Sequence, residues 1–340
     1  MARSGWKESG TVTLRWPAKS VLFAASLLAA AAGAWTFAQE GPVIRVNVNL
    51  VRILATVKTA KGELVGGLGK DDFEVYDNGM KQQIAHFERQ TDQPLAVALM
   101  LDVSGSAAKD LGVEIESGVK FLRALLAEGR PEDRVALYSF DDSVKEEQTF
   151  THNFNLLTAA LRRIHGSAGT SLFDAIYLVS HELERRQGRK VMVIVSDGGE
   201  TTSKWTSHDA LKAVQLADAV LYPVVVIPIM SDAGRNTGGE NFFKWIAAST
   251  GGRTFFPQLS GEIDRSFSQI IDDLRTQYFI GFYPHDVPLT KDPWHKLELR
   301  EKSGKLQVSA RNGYYGESET YSAGSTGTSV DGDVRTKKKR

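Results

Sequence analysis

Within residues 94–277, short runs of apolar residues alternate with longer amphipathic stretches. The runs are continuously apolar, as is typical of strands buried on both faces of a parallel sheet; they cover 95–101, 134–140, 191–195 and 220–227, with a weaker one at 253–256. The stretches between them have helical periodicity; they cover 108–127, 155–164, 171–186, 207–218, 240–249 and 261–276. This alternation predicts an α/β fold, with a doubly wound, mostly parallel sheet between two layers of helices. The polar segment 143–151 is predicted to be an edge strand.

On both sides of this segment, the hydrophobic pattern changes to a period of two, which predicts strands. In residues 43–93, the pair Asn78-Gly79 predicts a hairpin turn between strands at 73–76 and 83–87. Residues 278–316 are also strand-like. Neither flank looks self-sufficient, so we expect the two to pair into one β-sandwich-like domain, with the α/β domain inserted between them.

The two ends of the chain have compositions of their own. Residues 1–38 combine basic residues, the apolar stretch 21–34 and a small residue, Ala38, at a plausible cleavage point, which predicts a signal peptide. The stretch is short for a bilayer span, although an uncleaved anchor remains an alternative. No later segment approaches spanning length. We therefore expect a periplasmic or extracellular protein. Residues 317–340 are rich in Gly, Ser and Thr, and we expect a disordered tail.

Composition narrows the possible functions. The chain has no cysteine, which excludes disulfides, thiol catalysis and cysteine-ligated metals. Its formal net charge is zero, so nothing favours nucleic acid as a partner. Its seven histidines are scattered without the spacing of a zinc site. The clearest candidate pattern that remains consists of carboxylates and hydroxyls.

Those groups are concentrated after two buried strands. Asp102-Val103-Ser104-Gly105-Ser106 directly follows 95–101, and Asp197 comes just after 191–195. In open α/β sheets, ligands bind at the carboxyl ends of strands. Thr170, in a glycine-containing loop before a predicted helix, is expected to join them, with Ser171 as an alternative. Two carboxylates and three hydroxyls suit a hard cation, Mg²⁺ or Mn²⁺ more than Ca²⁺.

Several neighbouring residues have plainer interpretations. Asp174 is expected to cap or pair within its helix rather than to touch the metal. Asp141 and Asp142 are expected to be solvated turn residues, with support of the metal ligands as the alternative. Glu200 is expected to be an exposed loop acid, with a hydrogen bond to a water ligand as the alternative. For the aromatic residues, we expect core packing at Phe242 and Trp245 and sandwich packing at Trp294, Tyr314 and Tyr315. Trp205 follows the Asp197 loop, so a contact with the rim of the site and the absence of one are both open.

The arrangement resembles the von Willebrand factor type A domain and its metal-ion-dependent adhesion site. That site consists of Asp-x-Ser-x-Ser, a distant Thr and an Asp after a buried strand; the matching residues are Asp102, Ser104, Ser106, Thr170 and Asp197. The flanking segments 67–75 and 310–315 also resemble a bacterial exported subfamily of that family. The resemblance implies cation-dependent recognition of a Glu or Asp carboxylate on a partner protein.

We therefore expect a metal-dependent protein-binding or adhesion module rather than an enzyme. Phosphatases with a nucleophilic Asp resemble Asp-x-Asp, whereas Ser104 stands at the second position here. No nucleophile-base pair or Walker loop is evident. A structural part of an envelope assembly, whose metal only stabilises it, is the main alternative, and a Mg²⁺-dependent hydrolase is a weaker one.

Overall fold

A computed structural model describes residues 50–89, 93–105, 111–166, 169–226, 236–287 and 293–316. The predicted signal peptide, Ser106 and the predicted tail at 317–340 lie outside these residues. In the described part of the chain, no helix combines the length and apolarity needed to cross a bilayer.

The described residues form strands and helices in the following order along the chain: β1 (Val51–Lys58), β2 (Phe73–Asp77), β3 (Met80–Gln82), β4 (Ile84–Arg89), β5 (Leu95–Asp102), α1 (Leu111–Ala127), β6 (Arg134–Phe140), β7 (Val144–Thr151), α2 (Phe154–Leu161), α3 (Leu172–Glu184), β8 (Arg189–Ser196), α4 (Ser207–Leu216), β9 (Ala219–Val225), α5 (Thr237–Thr250), α6 (Ser260–Thr276), β10 (Tyr278–Phe282), β11 (Trp294–Glu301), β12 (Gln307–Ala310) and β13 (Gly313–Tyr315). A short 3-10 helix covers Lys70–Asp72.

The central sheet has the strand order β7-β6-β5-β8-β9. Its strands are parallel except β7, which pairs antiparallel to β6 at the edge. All eight residues of β5 are buried, because helices cover both faces of the sheet. Leu99 and its neighbours on one face pack with α1, α2 and α6, whereas Met100 and its neighbours on the other face pack with α3, α4 and α5. The doubly wound α/β prediction is confirmed.

The flanking strands form two antiparallel sheets, β12-β1-β10-β4 and β13-β11-β2-β3. In the first, β10 follows the α/β segment and lies between β1 and β4, which both precede it. In the second, β11 pairs with β2. A third hydrophobic core, which includes Ile53, Val75 and Ile280, joins the two sheets. The predicted β-sandwich made from both flanks, with the α/β segment inserted, is therefore present.

Two local predictions need correction. Asn78 and Gly79 form the expected turn, both with positive φ, but the strand that follows the turn and pairs with β2 is the short β3, at 80–82. The chain then crosses to the other sheet, where β4 pairs with β10. Buried Gln82 marks this crossing, because its side chain bonds to the backbone of His285. The weak strand predicted at 253–256 contributes one isolated bridge, between Phe255 and Val224.

Candidate metal centre

The two acids of the predicted site lie at the same edge of the central sheet. Asp102 is the last residue of β5, and Asp197 follows the last residue of β8. These strands are neighbours and parallel, so both acids emerge where the strands end. The negative charge of Asp197 contributes, after burial, to the raised pKa of Asp102.

Asp102 is completely buried. Its Oδ1 accepts a hydrogen bond from the Ser104 backbone N–H at 2.9 Å, and its Oδ2 accepts one from the Ser196 hydroxyl at 2.6 Å. Burial is the largest influence on this carboxyl group and raises its pKa to about 6, although the hydrogen bonds from Ser104 and Ser196 oppose the shift. The ionised form is thus costly, and a bound cation would offset that cost.

Asp197 and Thr170 are brought together around Gly199. The Gly199 N–H donates to Asp197 Oδ1 at 2.8 Å. A Cβ at Gly199 would lie 3.0 Å from Asp197 Oδ1 and 3.6 Å from Thr170 Oγ1. Both oxygens therefore flank the same small volume, which a larger residue at 199 would fill.

The loop that carries Thr170 is bonded to the loop after Asp197. The Thr170 carbonyl accepts from the Thr201 N–H at 2.8 Å, and the Thr170 N–H donates to Thr201 Oγ1 at 2.9 Å. Ser171, the alternative ligand, has its hydroxyl bonded to the Asp142 carbonyl at 3.1 Å and to Thr202 Oγ1 at 2.7 Å. The Ser171 hydroxyl therefore links its own loop to the loops that contain Asp142 and Thr202.

The surrounding acids also join loops. Asp141 was expected in solvent, but it is buried and accepts from the N–H and hydroxyl of Ser143. The expectation failed because the Ser171 N–H donates to the Asp141 carbonyl, so the Thr170 loop covers this turn. Glu200 is half-buried rather than exposed, because Ser203 and the Phe173 N–H donate to its carboxylate.

Asp174 and Ser196 also differ from the sequence expectations. Asp174 Oδ1 accepts from the backbone N–H groups of Lys204 and Trp205, outside its own helix. Ser196 was not predicted as a site residue, yet its hydroxyl donates to Asp102 and accepts from the Gly198 N–H at 2.9 Å. Its position between a buried strand and Asp197 was the only signal in the sequence.

The side chains at this edge fit a small hard cation. In the described residues, no cluster of three or more His, Cys, Asp or Glu side chains is placed to hold a metal ion. Asp102 and Asp197 would supply carboxylates to a cation bound here, and Ser104 and Thr170 would supply hydroxyls; Ser106 lies outside the described residues. This oxygen set matches the preference of Mg²⁺ and Mn²⁺.

Comparison with known proteins gives a sequence match and several structural likenesses. Residues 97–200 match the family model of the von Willebrand factor type A domain. Among curated proteins, none matches this chain. Solved structures with similar folds include BatB from Bacteroides thetaiotaomicron, at 20% identity over 53% of this chain and 98% of that chain, with a TM-score of 0.42.

A second is the vWF domain of the type V pili tip protein Mfa5 from Porphyromonas gingivalis, at 14% identity over 54% of this chain and 95% of that chain, with a TM-score of 0.45. A third is a von Willebrand factor type A protein from Catenulispora acidiphila, at 9% identity over 81% of this chain and 76% of that chain, with a TM-score of 0.45. Values this low say nothing about function. The sequence match covers the strands and loops that carry Asp102, Thr170 and Asp197. Through residues 97–200, the chain carries a von Willebrand factor type A domain.

Proposed function

We propose that this protein is an exported binding module that recognises a carboxylate of a partner protein through a divalent cation. Asp102, Ser104, Ser106, Thr170 and Asp197 would hold the ion, Mg²⁺ or Mn²⁺. The observation that carries the proposal is geometric: Asp102 and Asp197 follow neighbouring parallel strands at one edge of the sheet, and Thr170 Oγ1 lies beside Asp197 across Gly199.

The electrostatics of the site support recognition of an anion. Asp102 receives its hydrogen bonds from neutral donors, the Ser104 N–H and the Ser196 hydroxyl. The cation would remain electrophilic, because two carboxylates are supplemented only by neutral oxygens, and it would accept one further carboxylate. A Glu or Asp side chain of another protein supplies that group. The export in this proposal rests on the signal peptide predicted at residues 1–38, and the partner would then lie in the periplasm or outside the cell.

The test begins with metal binding. Calorimetric titration of purified protein with Mg²⁺ and with Mn²⁺ should show one site, which D102N abolishes. D142N is the matched control, because Asp142 is an exposed acid in the neighbouring loop. Absence of binding to the wild-type protein would overturn the proposal.

Partner recognition is tested with the same variants. Envelope proteins captured on the immobilised wild-type protein should be released by chelator and absent with D102N, but retained with D142N. Metal binding without any chelator-sensitive partner would favour the purely structural site. Mg²⁺-dependent hydrolysis of a phosphate ester that D102N abolishes would favour an enzyme.

A further inference from the structure

The first turn of α5 lies directly against the turn of the chain that follows Asp197. Gly198 in this turn has a positive φ of 80°, and a Cβ there would lie 2.9 Å from the Gly239 Cα. A Cβ at Gly239 would in turn overlap the Gly198 carbonyl oxygen. The two backbones therefore approach each other with no side chain between them, and a side chain at either glycine would push the turn away from the helix.

The helix is a firm support for this turn. Phe243 and Ile246 of α5 are fully buried in the core that α3, α4 and α5 form with the central sheet. The Phe243 ring also lies beside the turn, because a Cβ at Gly198 would be 3.3 Å from its Cε2. Core packing thus fixes the helix, whereas Gly198 and Gly199 have no side chains with which to fix the turn.

Asn236 joins the helix to the turn through both ends of its side-chain amide. Its Oδ1 accepts from the Gly239 N–H at 3.0 Å and so caps α5. Its Nδ2 donates to the Gly198 carbonyl at 2.8 Å. The cap requires an acceptor and the carbonyl requires a donor, and an amide supplies one of each. Asp and Ser cap helices about as well as Asn does, so the second bond is what the amide adds here.

This second bond attaches the turn that orients the Asp197 carboxylate. The Gly198 N–H donates to Ser196 Oγ at 2.9 Å, and the Gly199 N–H donates to Asp197 Oδ1 at 2.8 Å. Both bonds join residues two positions apart, so they shape the turn without fixing it to the neighbouring helix. The bond from Asn236 joins residues 38 positions apart and supplies that attachment.

We propose that Asn236 is a positioning residue of the metal centre, which holds the turn so that the Asp197 carboxylate stays beside Thr170. This role rests on the proposed function, since Asp197 is one of the proposed ligands. A carboxylate that is already held in place loses less conformational freedom when the ion binds. Hydrogen bonds that support metal ligands commonly change metal affinity by about tenfold or more.

The variant N236S tests the proposal, because serine retains an acceptor for the cap but is too short to reach the Gly198 carbonyl. N153S is the matched control. Asn153 caps α2 by accepting from the N–H groups of Asn155 and Leu156. It follows β7, which is antiparallel to β6, and so lies at the opposite end of the sheet from Asp197.

Two measurements are made on the wild type and both variants. Amide hydrogen exchange at Gly198 and Gly199, in the presence of chelator, reports how firmly the turn is held. Calorimetric titration gives the affinity for Mg²⁺ and Mn²⁺. In N236S, we expect exchange about fivefold faster than in the wild type and metal affinity about tenfold lower. The melting temperature of N236S and all properties of N153S should stay close to those of the wild type.

If Asn236 only capped α5, N236S would match the wild type in both measurements, and that result would overturn the proposal. Faster exchange with unchanged metal affinity would also overturn it, as would equal effects in N153S. The wild type separates this proposal from the proposed function. Faster exchange in N236S, when the wild type binds no metal, removes the proposed function and leaves only the attachment of the turn to α5. Metal binding that N236S does not weaken leaves the proposed function and removes this role of Asn236.

Discussion

At the scale of single residues, Asp102 is central because its charge is buried without a described cationic partner bonded to it. A buried carboxylate destabilises the folded state when it ionises, unless something compensates the charge. Removal of the Asp102 charge should therefore separate its destabilising effect on the folded state from its contribution to metal binding.

In the presence of chelator, the wild-type protein should lose stability relative to D102N as pH rises. The carboxyl group of the unfolded chain ionises near the ordinary pKa of 3.8 and the folded one at about 6, so ionisation favours the unfolded state across that interval. The free energy of unfolding should fall by about 3 kcal/mol relative to D102N between these values. Urea titrations at several pH values measure it, and parallel curves for the two proteins would contradict it.

Gly199 provides a second residue-scale test, because its φ lies outside the left-handed region and only space opposes a side chain there. The Cβ of G199A would lie 3.0 Å from Asp197 Oδ1, so this carboxylate must move. We expect affinity for Mg²⁺ or Mn²⁺ to fall about tenfold with little change in melting temperature. G67A is the control, since nothing lies within 4 Å of a Cβ at Gly67. Unchanged affinity in G199A would argue against Asp197 as a ligand.

At the scale of elements, α4 begins at a capping box. The Thr206 side chain accepts from the Asp209 N–H, and the Asp209 carboxylate accepts from the Thr206 N–H. These bonds satisfy amide groups that have no partner inside the helix.

Removal of this cap should cost stability without affecting the metal centre. T206A should lower the free energy of unfolding by about 1 kcal/mol, whereas T206S, which retains the hydroxyl, should stay close to the wild type. Chemical denaturation of the three proteins measures the difference. Equal losses in T206A and T206S would show that the hydroxyl is not the stabilising group.

At the scale of the whole molecule, Asp273 of α6 joins the α/β segment to the sandwich. Its carboxylate, 2% exposed, lies 3.1 Å from Lys58 Nζ on β1 and 2.7 Å from Arg253 Nε. Burial lowers the pKa of Lys58, and the charge of Asp273 opposes that shift. Loss of the acid would leave two cations facing each other.

D273A should therefore destabilise the protein by about 3 kcal/mol or more. K58M should cost about 1 kcal/mol or less, because Asp273 keeps Arg253 as its partner and the methionine fills the half-buried site. Urea unfolding of both variants tests the asymmetry. A cost for K58M equal to that for D273A would show that the bond between β1 and α6 is the main contribution.

The sequence alone was sufficient to predict most strands and helices of the α/β segment, because buried strands and amphipathic helices each have a clear hydrophobic pattern. It was less informative where burial depends on distant residues. Trp245 was expected in the core, yet it is 37% exposed and Phe243 is fully buried in its place. Asp141 was expected in solvent, and only the covering loop from Thr170 and Ser171 explains its burial.

By itself, then, the sequence determined the order of elements, the doubly wound sheet and the acids that follow β5 and β8, because these depend on local patterns. Only the tertiary structure decided which distant groups meet. It placed Thr170 beside Asp197 across Gly199, attached Ser196 to Asp102, and inserted β10 between β1 and β4. Contacts between residues so far apart in the chain leave no periodic trace, because they are set by the packing of whole elements rather than by their neighbours in sequence.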